Sequence, residues 1–141
     1  MRGMRKTAAI LTFAAPLLLA ACATTTDGPY RGPLAAEGTP VALEQSVAVA
    51  DLVLTPIAVT EDSRCPINAR CVWAGRVTVE TRVDGAGWRE SVPMTLGEPV
   101  TLRGYRLTLV SAEPNRMTSD PAPLPADYRL VYEGGSTGVA G

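Results

Sequence analysis

Between Glu61 and Gly75 the chain crowds most of the side chains that could do chemistry: Glu61, Asp62, Arg64, Cys65, Asn68, Arg70, Cys71 and Trp73. Adjacent carboxylates such as Glu61 and Asp62 suit acid–base work or a hard cation such as Ca²⁺. Calcium takes six to eight oxygens, and here only these two carboxylates, Ser63, Asn68 and backbone carbonyls are at hand. The structural alternative is that Asp62 caps a turn and pairs with Arg64 or Arg70. Arg70, inside a five-residue loop between Cys65 and Cys71, could enter a trypsin-like protease as an inhibitor loop would. Trp73 and Trp88 could stack on a sugar or pack in the core or at its rim. Cys65 and Cys71 are too few thiolates for a structural zinc without histidine, and five intervening residues are not the two of a thioredoxin-like pair.

The composition removes whole classes of chemistry. Histidine is absent, which excludes histidine general bases, Ser-His and Cys-His nucleophile pairs and histidine-ligated metals. Net charge is −1, and Arg2, Arg5 and Lys6 sit together at the start; without those three cations the remainder stands at −4. No basic stripe is present for nucleic acid. No cofactor is implied, and the carboxylates form no second pair at a fixed spacing, so a carboxylate-dependent hydrolase is the weakest of three function classes. The others are a structural or binding β-domain without enzymatic activity, and a ligand-binding or protease-inhibitor-like module that uses the Cys65–Cys71 loop.

The start of the chain sets the compartment. Met1 to Lys6 is basic, Thr7 to Leu19 is mostly apolar, and Leu19-Ala20-Ala21-Cys22 follows. A basic start and an apolar run of this length form a secretory signal, and the run is too short for a comfortable membrane span of about 20 residues. The four residues ending in Cys22 resemble the lipobox of bacterial lipoproteins. The resemblance implies a signal peptide over residues 1–21, lipidation of Cys22, and attachment to a membrane through several acyl chains, which anchor stably where one does not. Ala23 stands where an inner-membrane retention signal has aspartate, so the resemblance favours an outer-membrane lipoprotein facing the periplasm, with the inner membrane and the cell surface as alternatives. An oxidising compartment with Cys22 lipidated leaves Cys65 and Cys71 as an even pair, and they are expected to form a disulfide whose bridge the Trp73 ring covers.

Residues 22–40 are rich in Thr, Gly, Pro and Ala and read as a flexible tether. Residues 41–133 read as the domain. Val41-Ala42-Leu43 is a short edge strand, and Val47 to Val59 is a strand bent or bulged at Pro56. Cys71, Trp73, Val77, Val79, Thr81 and Val83 share one parity of a half-buried strand. Asp84-Gly85-Ala86-Gly87 is a hairpin turn, and Trp88 to Leu96 returns. Val100 to Val110 is a strand pair or one long strand broken at Gly104, and Pro114, Pro121, Pro123 and Pro125 mark an extended loop. Tyr128, Leu130 and Tyr132 share a face of the last strand. Residues 134–141 read as a disordered tail. About six to eight short strands predict an all-β, small antiparallel sandwich or barrel-like domain.

Asp62-Ser63-Arg64-Cys65-Pro66, then Cys71-Val72-Trp73-Ala74-Gly75, the Tyr105-Arg106-Leu107-Thr108-Leu109 strand, a Pro-rich loop and a Tyr-bearing closing strand resemble a pattern in small bacterial lipoproteins and secreted β-rich proteins. The similarity covers roughly residues 41–133. It implies fold and location, and carries no activity. The partners expected are a membrane through the lipid and an unidentified envelope protein or small ligand.

Overall fold

Alternation of branched apolar residues builds two sheets. The computed structural model describes residues 33–138. The expected signal segment, the expected lipidation of Cys22, the expected tether up to residue 32 and the end of the expected tail beyond residue 138 therefore lie outside the described residues. Four strands, β1 (Val47–Val49), β2 (Leu52–Asp62), β3 (Val77–Gly85) and β4 (Trp88–Thr95), form one antiparallel sheet in that order. Three more, β5 (Val100–Leu102), β6 (Tyr105–Glu113) and β7 (Arg129–Ser136), form the second, also antiparallel. Among the described residues the two sheets are not closed into a barrel and pack as a small all-β sandwich.

The core lies between the inner faces. Val77, Val79, Thr81 and Val83 of β3 and Met94 of β4 meet Leu107 and Leu109 of β6 and Leu130 and Tyr132 of β7. Tyr132 brings a hydroxyl into this interior, where it shares a 2.9 Å hydrogen bond with the Thr81 hydroxyl of the opposite sheet. A buried polar group left without a partner would cost free energy, and this pairing satisfies both hydroxyls at once. Trp88, partly buried at the core margin, lies on the backbone of Gly85 so closely that a methyl there would overlap the ring. The Arg103 guanidinium lies over the same ring, 4.8 Å from its centroid, a cation–π contact.

Bulges decide which side chains point inward. β2 and β3 lose register at Ile57 and again at Thr60, each an extra residue opposite none. Pro56 is the last inward position before the first bulge, as its missing N–H predicts. The two insertions return the original parity, so Asp62 ends opposite Val77 on the inner side. β6 bulges at Val110, which turns Ala112 rather than Ser111 into the core.

Three expectations need correction. Val47 to Val59 is a hairpin rather than one strand: Ala50, at φ 51°, takes the left-handed turn that ends β1. Val41 makes a single bridge, exchanging two hydrogen bonds of 2.9 Å with Leu130, instead of forming an edge strand. The packed unit also reaches beyond residues 41–133 at both ends. Ala35 bonds to Ser46 and Ala48 alongside β1, and the Glu37 carboxylate accepts from the backbone of Ala50 and Gly134. Gly134 and Gly135 belong to β7, and Thr137 bonds twice to the Gly104 carbonyl. Gly134 is required where it lies, because a side chain there would press on the Arg106 carbonyl and on Leu107 and Val49.

Candidate functional site

Beyond Asp62 the chain leaves the ladder and builds the corner that the sequence singled out. Asp62 and Arg64 form its centre. Arg64 Nε and Nη2 donate to the two Asp62 oxygens, both at 2.9 Å. The same guanidinium donates from Nη1 to the Ala112 carbonyl at 2.6 Å and from Nη2 to the Pro114 carbonyl at 3.0 Å. It thereby ties the end of β2 to the end of β6 in the other sheet. The planar fork of arginine is the group that serves a carboxylate and two carbonyls together. The Tyr128 hydroxyl completes the cluster with a 2.8 Å hydrogen bond to Asp62 Oδ2. Side-chain exposure is 15% for Arg64 and 9% for Asp62, so this pair is screened little by solvent.

Electrostatics follow from that geometry. Burial pushes the Asp62 carboxyl upward, but hydrogen bonds from Arg64 and Tyr128 and the Arg64 charge outweigh it and hold the group below its usual range. Burial, then the hydrogen bond to Asp62, pushes the Tyr128 phenol up to about 12. A folded pKa above the unfolded value of about 10 contributes stability that is complete below pH ~10 and is lost as pH rises through ~12. Tyr132, which burial also pushes up, acts in the same direction. Tyr128→Phe should therefore flatten, without abolishing, the fall in stability across pH 10–12 in chemical denaturation; an unchanged slope would remove Tyr128 from the account.

Glu61 points to the outer side. Its Oε2 accepts from Arg76 Nε at 2.8 Å and its Oε1 from the Ser63 hydroxyl at 3.1 Å. The Arg76 hydrogen bond lowers its pKa, opposed by desolvation and aided by Ser63 and by the Arg76 charge. Both carboxylates of the sequence motif are thus committed to guanidinium groups, on opposite sides of the strand. Among the described residues, no three histidine, cysteine, aspartate or glutamate side chains cluster as metal ligands would.

The loop closes as a ring. Cys65 and Cys71 are disulfide-bonded, with Cα atoms 5.9 Å apart. Pro66 starts a turn in which Ala69 N–H donates to the Pro66 carbonyl. The ring rests on the Pro-rich loop: Ile67 N–H donates to the Arg116 carbonyl, and the Asn68 amide donates to the Thr118 hydroxyl and accepts from the Thr118 N–H. Behind the ring, Ser63 N–H donates to Arg76 O and Cys65 N–H to Ala74 O, which brings Gly75 hard against Ser63. An inhibitor loop lies extended on its protease. Here the residues before Arg70 are in a turn and Asn68 is tied to Thr118, so the ring does not offer that conformation.

Trp73 departs from expectation. The alternation that began at Cys71 predicted a strand, but β3 starts at Val77. Gly75, at φ 68°, takes a left-handed conformation that breaks the ladder. Trp73 consequently leaves the core parity and is 81% exposed, Val72 is 90% exposed and Ile67 68%. Cys71 is exposed as well, and Cys65 is half-buried, so the Trp73 ring does not bury the bridge as expected. Thiol labelling of native, non-reduced protein should find neither Cys65 nor Cys71 free. Cys71→Ser should cost about 2 kcal/mol, as a short loop does, without abolishing folding.

Sequence reasoning missed Tyr128 as the partner of Asp62, the carbonyls that Arg64 reaches, and Thr118 under the ring. Only Tyr128 carried a signal: it shares parity with Leu130 and Tyr132 and so had to face inward. No family model, curated protein or solved structure matches the chain.

Proposed function

We propose that this chain is a membrane-anchored lipoprotein of the cell envelope, held at the outer membrane by lipid on Cys22, and that its β-sandwich is a non-enzymatic binding module. The contact surface is the disulfide corner. One observation carries this reading: Ile67, Val72 and Trp73 are held out in solvent on a braced loop. Fully burying one such side chain contributes about 1.5–3 kcal/mol. A small domain that fixes three of them outside, behind a disulfide and a four-bond guanidinium clamp, forgoes that stabilisation for a surface. The commitment of Asp62 to Arg64 and of Glu61 to Arg76 supports a role without acid–base chemistry. Anchoring rests on the basic start, the apolar run and Leu19-Ala20-Ala21-Cys22.

Two measurements test it. Cys22→Ser should move the protein from the membrane fraction to the soluble fraction or leave its precursor uncleaved; a soluble wild type ends the lipoprotein proposal. A photo-crosslinking residue at position 67 in intact cells should give an adduct, and Val72→Ser with Trp73→Ser should abolish it while shifting stability by no more than ~0.5 kcal/mol, as surface changes do. An adduct unaffected by those changes would remove the corner as the contact surface.

A further inference from the structure

Ile67, Val72 and Trp73 project from the end of the sandwich rather than lining a concavity. Two surface grooves, of about 400 and 410 Å³, lie elsewhere, one across β6 and β7 and one between β2 and the Pro-rich loop, and no residue from Ser63 to Arg76 lines either. A projecting tip of three apolar side chains offers a few hundred Å², well short of the ~800 Å² per partner of a stable protein–protein interface. A bilayer surface needs no such matching area. It accepts inserted apolar side chains one by one, and tryptophan settles at the headgroup level.

Charge points the same way. From Ser63 to Arg76 the chain carries Arg64, Arg70 and Arg76 and no carboxylate. Asp62 and Glu61 match Arg64 and Arg76. Arg70 is exposed and has no ion-pair partner among the described residues. The segment docked beneath the ring, residues 114–119, adds Arg116 and no acid. The acids that bound this segment, Glu113 and Asp120, accept from the Asn115 and Met117 N–H groups, and Met117 is itself 38% exposed. The ring itself is therefore apolar and carries an unmatched cation, Arg70, which complements lipid phosphate.

We infer that the disulfide corner docks on an anionic phospholipid bilayer, with Trp73, Val72 and Ile67 at the headgroup–acyl boundary and Arg70 against lipid phosphate. The inference rests on the corner being the contact surface. Chain length permits it: the 12 residues between Cys22 and Ala35 span at most roughly 40 Å, more than the roughly 30 Å of β3. A lipid on Cys22 thus leaves the corner within reach of the same membrane, and a second contact would hold the sandwich at the surface in one orientation.

The two tryptophans test this directly, because Trp88 lies at the β3–β4 hairpin, the far end of β3 from the corner. Protein purified as the cell processes it is reconstituted with vesicles of phosphatidylglycerol and phosphatidylcholine that carry a spin label on the acyl chains. Trp88→Phe leaves Trp73 as reporter, and Trp73→Phe leaves Trp88. Trp73 emission should shift to shorter wavelength and lose at least half its intensity, while Trp88 emission stays unchanged. Arg70→Glu, or vesicles of phosphatidylcholine alone, should lower the Trp73 quenching at least twofold. Equal quenching of both reporters, no quenching of Trp73, or indifference to Arg70→Glu would each overturn the inference. An unquenched Trp73 together with a corner-dependent crosslink to a protein would overturn the bilayer as partner and leave the corner as a binding surface. An unquenched Trp73 with no crosslink would remove both.

Discussion

Arg64→Ala is expected to lower the stability of the domain by about 3 kcal/mol, a large share of the roughly 5–10 kcal/mol that a domain of this size has in total. The loss is not that of a surface ion pair. Removing the guanidinium leaves the Asp62 carboxylate nearly buried without its cation, with the Tyr128 hydroxyl as its remaining side-chain donor, and it releases the Ala112 and Pro114 carbonyls. An uncompensated buried charge is the costly product, so a second change that neutralises it, Asp62→Asn, should recover part of the loss. Arg64→Lys should recover little, because one ammonium on a flexible stem cannot serve a carboxylate and two carbonyls in one plane. The pH dependence should change as well. In the native protein the Asp62 pKa is depressed, so its contribution is complete above the unfolded value near 4 and is lost as pH falls through the folded value. Arg64→Ala removes the largest of the lowering causes and leaves the Tyr128 hydrogen bond, so it should shrink that acid limb. Denaturant titrations at pH 7 and pH 3 measure both effects; a loss under ~1 kcal/mol at pH 7 would show that the clamp does not hold the sheets together at this end.

Gly75→Ala should be nearly as damaging. A left-handed φ of 68° costs a non-glycine residue about 1–2 kcal/mol. A methyl at this position would also overlap the Ser63 carbonyl, and the hydrogen bonds from Ser63 to Arg76 and from Cys65 to Ala74 would have to open to admit it. The expected total is about 3 kcal/mol. Gly87→Ala is the control, since Gly87 has φ 77° and open space where a side chain would go. It should show the conformational cost alone, about 1 kcal/mol. Equal losses in the two variants would mean that the close approach of Gly75 to Ser63 has no energetic weight. The disulfide of the Gly75→Ala protein should also reduce faster, because its ring is closed from behind by those same backbone bonds.

Local chemistry explains most of what could be read before the fold was known. Alternation from Val77 to Val83 identified the inner face of β3, Asp84-Gly85-Ala86-Gly87 identified the hairpin, and Pro56 marked the bulge in β2. Each depends only on neighbouring residues. The pairing of Cys65 with Cys71 was legible because five residues can close a ring and no other cysteine competes once Cys22 is set aside. Glu61 and Asp62 were recognised as structural candidates beside Arg64 and Arg70, yet the partner of Glu61 is Arg76, fifteen residues on.

The strand-forming segments, the all-β class and the corner where unusual residues gather are written in residue order, because period and turn chemistry are encoded over a few residues at a time. How the corner is held, and what it shows to solvent, depends on contacts that form only when the two sheets pack. Asp62 meets Tyr128 and Arg64 meets Ala112 across the two sheets, contacts between residues 66 and 48 positions apart that no local pattern specifies. The same holds for Trp73. Its parity placed it in the core, but parity carries through only where the ladder continues, and Gly75 in its left-handed conformation ends the ladder between Trp73 and Val77.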